Sequence, residues 1–372
     1  MATADLPSTM KAVVVRGVSD GHVETVPVPL PGPGSVTIKV EHCLIHNNFP
    51  NIYHNTTGMD FLKPPYPLIF GGYGIGRIAA IGPDTTAFTP GQLVIFDPFL
   101  RARDDPDVAI LWGAFPGIDE KTQRWTKENW RDGAWAEYVR APLENTWAIN
   151  EDKINALGLP ITHVTHLGPL AVAYGGLRKI NLQAGETVVI APATGVFSGG
   201  AVALARAMGA NVIAASRSAD GLSKVAKQFP GVKTVQLVGG PEDTAALQAH
   251  GPIDVFVDLS PNEATNHPSL AYGIAAVRRD GRVCLMGGRG DEKLPIPFAL
   301  MIFNDLTVRG SWMYEPEHVR GLIKMVENGV LKLDEKGGFE ILGSFGLDDF
   351  EAGLEEARKC SAGKIYLLTP SQ

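Results

Sequence analysis

A doubly wound, parallel α/β sheet carried beside a second, β-rich domain is the fold this sequence predicts. Three observations carry it. Residues 187–217, TVVIAPATGVFSGGAVALARAMGANVIAASR, read as a β-branched strand, a small-residue loop, an Ala- and Leu-rich helix and a second strand. From Thr187 to about Gly310 strands alternate with helices: the strands are VVIA, NVIAAS, TVQLV, DVFVDLS, GRVCLMGG and LTVRGS, the helices roughly 199–208, 220–229, 242–250 and 263–278. That alternation builds a parallel sheet covered on both faces. At 372 residues the chain exceeds what one compact core holds, so a second domain is expected.

Before Thr187 the chain is β-rich. Lys11–Arg16 (KAVVVR) and Val36–Val40 (VTIKV) alternate as half-buried strands do. Between them, Pro27–Gly34 (PVPLPGPG) holds too much Pro and Gly for either regular element. The glycines of Gly71–Gly82 (GGYGIGRIAAIG) predict strands that pack closely or turn sharply. Residues 97–132, with Trp112, Trp125 and Trp130, form a long polar and aromatic insertion, either functional or a small lobe of its own. Beyond the alternating region, Glu315–Gly329 reads as a helix and Lys364–Leu368 as a closing strand. There is no internal repeat.

A strand that runs through a small-residue loop into a helix start is a cradle for a pyrophosphate. The loop lets the backbone come close, and the helix start offers open N–H groups and a favourable dipole. Thr194, Gly195, Val196 and Phe197 are the candidate contacts. The Gly-x-Gly-x-x-Gly pattern is incomplete: Gly195 stands in place, Ser198 takes the third position, and Gly199-Gly200 follow. About twenty residues on, the second strand meets the adenosine ribose, where an NAD site carries Asp or Glu. Here the residues are Ser216-Arg217, which suit a 2′-phosphate that a carboxylate would repel. Lys224 is a candidate second phosphate contact. The expected cofactor is therefore NADP(H). The bland alternatives are a buried βαβ unit without a ligand and, for Arg217, a solvated charge.

Composition narrows the class. Hydrophobic residues at 45% and charged residues at 20% are ordinary for a soluble globular enzyme. A net charge of −7 gives no basic footprint for nucleic acid. No apolar run reaches membrane length, because Pro192, Thr194 and several glycines break the most apolar region. MATADLPSTM has neither an apolar core nor an Arg-rich pattern, so a cytoplasmic location is expected. Cys43, Cys284 and Cys360 are far apart and form no CxxC, which reads as three reduced thiols.

Across nearly the whole chain the order of motifs resembles the medium-chain dehydrogenase/reductase superfamily. KAVVV, VTIKV, PLIFGGYGIGRIAAIGPDTTAFTPGQLV, DGAWAEYV and LGPLAVAYGGL precede the nucleotide loop, and LTVRGS and GKIYLL close the series. The resemblance implies a GroES-like catalytic domain built from both chain ends (1–160 and 314–372) and a Rossmann NADP(H)-binding domain between them (161–313). It also implies that Gly287-Gly288 approach the nicotinamide, and that a homodimer forms through residues 296–313.

One departure from the family pattern shapes the expected chemistry. Zinc alcohol dehydrogenases of the superfamily grip a catalytic metal through an early Cys, the His-Glu of a GHE motif and a later Cys. Laid on this sequence, those positions become His46, Gly71-Gly72-Tyr73 and a residue near Gly168, and the four-Cys structural site falls on residues 97–115, which have no cysteine. One possible ligand is left where catalytic zinc needs three, so no metal is expected. A Lewis acid supplies several kcal/mol at a developing alkoxide, whereas one positioned neutral donor supplies about 3–4 kcal/mol. The expected acceptors are therefore those whose charge is already delocalised: an enone, an enoyl group or a quinone on a small apolar molecule.

Candidate donors are His46, Asn48, Tyr53 and Tyr73. Asn48 falls at the proton-relay position of the zinc enzymes, and its amide donates a hydrogen bond but shuttles protons poorly. Tyr73 replaces the zinc-site Glu and reads better as filler, while His42, His54, His163 and His166 read as surface or strand-end residues. Two other functions stay open. One is a zinc-independent carbonyl reductase or alcohol dehydrogenase of natural-product metabolism, its pocket shaped by the Trp-bearing insertion. The other is a non-catalytic NADPH-binding protein that has kept the fold.

Overall fold

The computed structural model describes residues 6–56, 63–261, 269–288, 293–294 and 296–371. The chain forms two units: Met1–Gly168 with Glu340–Cys360 and Lys364–Gln372, and Pro169–Phe339 with Ser361–Gly363. The expected boundaries at 160/161 and 313/314 are thus corrected to 168/169 and 339/340. The later boundary moves because helix Pro316–Glu327 packs within the second unit. His318 meets the Tyr174 ring edge-on, with centroids 6.1 Å apart, and Gly321 lies against the Tyr174 hydroxyl.

The second unit is a six-stranded sheet, and all its strands are parallel. Its spatial order is Lys233–Gln236, Asn211–Ser216, Thr187–Ala191, Ile253–Asp258, Val277–Leu285 and Thr307–Gly310. In sequence order that reads 3-2-1-4-5-6, a Rossmann sheet whose direction of winding reverses between the first and fourth strands. All the expected strands are present. Val188–Ala191 is buried along its length, as a strand covered on both faces must be. Val189, Ile213, Phe256, Leu270 and Ile274 lie in the core under the helices. Helices run Val196–Ala207, Ala219–Gln228, Glu242–Gln248 and Ser269–Ala275. The first part of the helix expected at 263–278 lies outside the described residues, and its end gives way to strand from Val277. The edge strand Thr307–Gly310 follows helix Phe298–Phe303, whose Phe298 and Phe303 are 81% and 77% exposed.

The first unit is built on a sheet ordered Thr146–Ala148, Leu93–Phe96, Gly74–Ile81, Ser35–Ile45, Lys364–Leu368 and Glu340–Phe345. Lys364–Leu368 runs antiparallel to Ser35–Ile45, with Tyr366 opposite Ile45, so the chain end completes a sheet begun in the first third. A smaller sheet holds Asp20–Pro27, Thr9–Gly17 and Leu68–Ile69. Strand Asp20–Pro27 went unread in the sequence, since it is mostly polar and half-exposed throughout. The core between these sheets is aromatic: Phe49 and Trp135 lie 5.2 Å apart and Tyr53 and Phe350 5.9 Å apart, centroid to centroid. The 97–132 insertion forms a hairpin (Phe99–Arg101, Ala109–Leu111) and helix Glu120–Asn129, capped by the Asp119 carboxylate accepting from Thr122 N–H at 2.8 Å. Among the described residues no helix is long and apolar enough to cross a membrane.

Candidate functional site

In the second unit, strand Thr187–Ala191 enters the loop at Pro192, and helix Val196–Ala207 starts after Gly195. The loop is tied at three points. Ala193 N–H donates to the Ala215 carbonyl at 2.9 Å, Gly195 N–H donates to Ser198 Oγ at 3.0 Å, and the Thr194 carbonyl accepts from Ala362 N–H at 3.2 Å. Ser198 at the third fingerprint position therefore caps the helix start. The close-packing task of a third glycine passes to Gly199, where a Cβ would overlap Ala362. Gly195 is exposed, and a Cβ there would meet only Ser198 Oγ, at 3.3 Å. This is an open, backbone-lined start to a twelve-residue helix, and it suits a pyrophosphate.

Ser216 ends the second strand and is buried, while Arg217 is exposed. The Arg217 carbonyl accepts from Gln236 Nε2 at 3.1 Å, which fixes the backbone beneath the guanidinium. Ser218 caps helix Ala219–Gln228 by accepting from Gly221 N–H at 3.0 Å. Gly221 in turn packs on Thr194, where a Cβ would meet Cγ2 at 2.8 Å. Thr194, Ser216 and Arg217 therefore belong to one corner, at the carboxyl ends of two adjacent strands. Lys224 stands apart from the expectation: it is ion-paired with Asp220 at 2.7 Å, on the outer face of its helix.

Gly287 and Gly288 follow the fifth strand, and the two differ. A Cβ on Gly287 would meet Asp258 Oδ2 at 2.6 Å and the Ser260 carbonyl at 2.7 Å, so its missing side chain serves internal packing. Among the described residues a Cβ on Gly288 would meet nothing within 4 Å, and its N–H donates to the Ser260 carbonyl at 3.0 Å. Asp258, buried and accepting from Ser260 Oγ–H at 2.6 Å, was missed in the sequence. Its signal was an acidic residue closing an otherwise apolar strand, DVFVDLS, opposite Ala191 in the register.

In the first unit, strand Ser35–Ile45 ends one residue before His46. His46 Nδ1 accepts from Asn48 N–H at 3.0 Å, so the ring proton of the neutral tautomer sits on Nε2. His46 is half-buried, and desolvation pushes its imidazole down to about 4, so at neutral pH it is a hydrogen-bond donor rather than a proton-delivering acid. Asn48 is exposed, and its backbone supplies that bond. Tyr53 is corrected to a structural role. Its hydroxyl donates to Glu351 Oε1 at 2.7 Å and accepts from Gly21 N–H at 3.1 Å, within the aromatic core. His166 is likewise no surface residue: it is 1% exposed, and burial with His163 nearby pushes it down to about 3.

Two of the positions aligned with zinc ligands, Gly72 and Gly168, are closed by neighbouring protein. A Cβ on Gly72 would overlap the Trp112 carbonyl oxygen and approach Pro98 Cβ at 2.7 Å. A Cβ on Gly168 would meet the Tyr73 ring at 2.8 Å. The insertion is knotted onto this segment: Gly71 N–H donates to the Gly113 carbonyl at 3.3 Å and Trp112 N–H to the Pro98 carbonyl at 2.8 Å. Trp112 itself is buried core, not the wall of an apolar pocket. Among the described residues no three His, Cys, Asp or Glu side chains gather as metal ligands, so the residues present do not fit a catalytic zinc. A separate cavity of about 470 Å³, between strands Thr9–Gly17 and Asp20–Pro27 and helix Glu120–Asn129, contains none of the candidate residues.

Comparison with known proteins agrees with these two units. The alcohol dehydrogenase GroES-like domain matches residues 32–151, and the zinc-binding dehydrogenase domain matches residues 199–328. The chain is 25% identical over 365 residues to the acryloyl-coenzyme A reductase of Metallosphaera sedula, covering 97% of this chain and 100% of that one. An alcohol dehydrogenase of E. coli CFT073, solved with NADH, aligns at a TM-score of 0.77 and 18% identity over 98% of this chain and 100% of that one. A protein of Sinorhizobium meliloti 1021 bound to NADP aligns at 0.74 and 23% identity, over 98% and 100%.

Proposed function

We propose a reaction from one premise: the chain belongs to the medium-chain dehydrogenase/reductase superfamily. It is an oxidoreductase that uses a nicotinamide dinucleotide. The reading its residues support best is metal-independent, NADPH-linked reduction of an activated C=C (an enone or enoyl group) or of a quinone. The observation that carries this reading is the pair of closed ligand positions, Gly72 under the Trp112 carbonyl and Gly168 under the Tyr73 ring. Acryloyl-coenzyme A reductase, an enoyl reductase by name, is among the relatives that span the whole chain.

Thr194, Gly195, Val196 and Phe197 would hold the pyrophosphate, Ser216 and Arg217 a 2′-phosphate, and Gly288 would leave room beside the nicotinamide. When bound, the dinucleotide supplies a hydride. The protein's task is to stabilise the oxygen that gains charge, and the neutral His46, proton on Nε2, is fitted to donate to it. A donor of this kind contributes about 3–4 kcal/mol, which suits an enolate better than an alkoxide. Asn48 holds the ring through its amide.

The test compares an enone with its saturated ketone, using NADPH or NADH, before and after chelation. Enone turnover that prefers NADPH and survives chelation is expected. Activity on the ketone alone, or loss of activity that zinc restores, would overturn the reading. Saturated carbonyl reduction is the second reading, favoured by the alcohol dehydrogenase among the structural neighbours, and the ketone arm decides it.

A further inference from the structure

We propose that the half-open cavity of the first unit is a binding site for a small aryl carboxylate, held by the Arg140 guanidinium above an apolar floor. The site lies within one unit and shares no residue with those assigned to the dinucleotide or the hydride acceptor. It goes beyond the oxidoreductase reading and does not rest on it.

The floor follows from strand alternation, because residues two apart on a strand share a face. In the hairpin of Thr9–Gly17 and Asp20–Pro27, Met10 stands opposite Val26. Val14 is two pairs further along the same face, and it stands opposite Ile69 of the third strand. All four side chains line the cavity, whose volume of about 470 Å³ is that of a small-molecule site. The rings of Pro67, Trp130 and Tyr138 also line it, and flat walls favour a flat apolar body.

The opposite wall is fixed in advance. Helix Glu120–Asn129 ends at Trp130, and the chain beyond it is pinned to strand Leu68–Ile69. Ile69 N–H donates to Asp132 Oδ1 at 3.2 Å, and Gly133 N–H donates to the Ile69 carbonyl at 2.7 Å. A cavity held this way needs little ordering when a ligand enters.

Charge selects the ligand. Three arginines line the cavity, and two are already satisfied. Arg16 donates to both oxygens of Glu24, at 2.8 and 2.7 Å. Arg131 donates to both oxygens of Asp132, at 3.1 and 2.8 Å. Arg140 is half-buried and has no carboxylate partner among the described residues. Its guanidinium lies over the Trp130 ring, 5.1 Å from the centroid, and Nη2–H donates to the Asn129 carbonyl at 2.6 Å. That bond closes the helix end and uses one of the group's five N–H donors. The remaining fork is oriented, charged and beside apolar surface, which matches the two oxygens of a carboxylate. Lys127 and Glu128 add one charge of each sign to the lining.

The test titrates naphthoate and its uncharged analogue naphthamide by ligand-observed NMR, with NADP(H) present throughout. Wild type should bind naphthoate with a Kd on the order of 0.1–1 mM and naphthamide about 10- to 100-fold more weakly. Arg140→Gln should bring naphthoate down to the naphthamide level. Val26→Phe fills the floor without touching Arg140 and should remove both ligands. Turnover should stay within about twofold of wild type in each variant. If Arg140→Gln fails to fold, the acid–amide comparison and Val26→Phe still decide. No naphthoate binding to wild type would overturn the proposal, as would equal affinity for acid and amide, or binding that both variants leave intact. Self-association that Val26→Phe abolishes, without naphthoate binding, would instead seat a second copy on this face and overturn it too.

Discussion

The two units use glycine in opposite ways. In the nucleotide unit Gly195 faces open space, with only Ser198 Oγ near its missing side chain, at 3.3 Å. In the other unit Gly72 and Gly168 are glycines because the protein has moved in, a backbone carbonyl over one and a phenol ring over the other. The first arrangement keeps room for a ligand, and the second removes it. A ligand-bearing position that becomes glycine is thus not an opening. At Gly72 and Gly168 the neighbouring chain fills the space a side chain would take.

The sharpest test of that contrast substitutes the same small side chain on both sides. Gly72→Ala drives a Cβ into the Trp112 carbonyl oxygen, where backbone held by the Pro98 and Gly113 hydrogen bonds cannot yield cheaply. A loss of about 3 kcal/mol or more is expected, seen as a large fall in Tm or failure to fold. Gly195→Ala, at a backbone φ of −85°, should melt close to wild type and lose dinucleotide affinity instead. Equal melting curves for the two variants would remove the contrast.

The parallel sheet was legible because each strand is a β-branched run bounded by turn residues, and a strand covered on both faces needs no alternation to be recognised. The candidate site was less so, because its decisive contacts join distant residues. Gly72 could be read as a tight turn, but not as one beneath Trp112, forty residues on. Tyr53 looked like a donor until Glu351, 298 residues away, took its hydroxyl. The helix Pro316–Glu327 was read correctly, yet its amphipathic face does not say which sheet it covers, and the domain boundary was misplaced for that reason. Local propensity marks elements; long-range packing assigns their roles.

The open side of the comparison predicts an intermediate effect. Arg217 forms no ion pair among the described residues, and its backbone is fixed by Gln236. Arg217→Ala should weaken NADPH about 10- to 100-fold, or roughly 1.4–2.7 kcal/mol, and leave NADH within about twofold. Fluorescence titration of both cofactors measures it. Parallel losses would mean that Arg217 supports the fold of the corner rather than a 2′-phosphate.

The smallest effect is expected from mild acid, between pH 7 and pH 6, and it falls mainly on the closed side. Burial holds His46 down to about 4 and His166 down to about 3, both in the first unit. In an unfolded chain each titrates near 6.5. The folded values are the lower ones, so below 6.5 the unfolded state binds more protons, and stability present at neutral pH is lost as pH falls toward the folded values. Between pH 7 and pH 6 the loss from His166 is under about 1 kcal/mol, growing to about 2 kcal/mol by pH 5. His42 is shifted the same way in this unit, and His318 in the other. Amide exchange followed from pH 7 to pH 5, corrected for intrinsic rates, should therefore lose protection first along Ser35–Ile45 and residues 161–166, and later along Thr187–Ala191. Earlier loosening of the nucleotide unit would show that the buried imidazoles do not govern the acid response, and that the closed side is no more costly to keep dry than the open one.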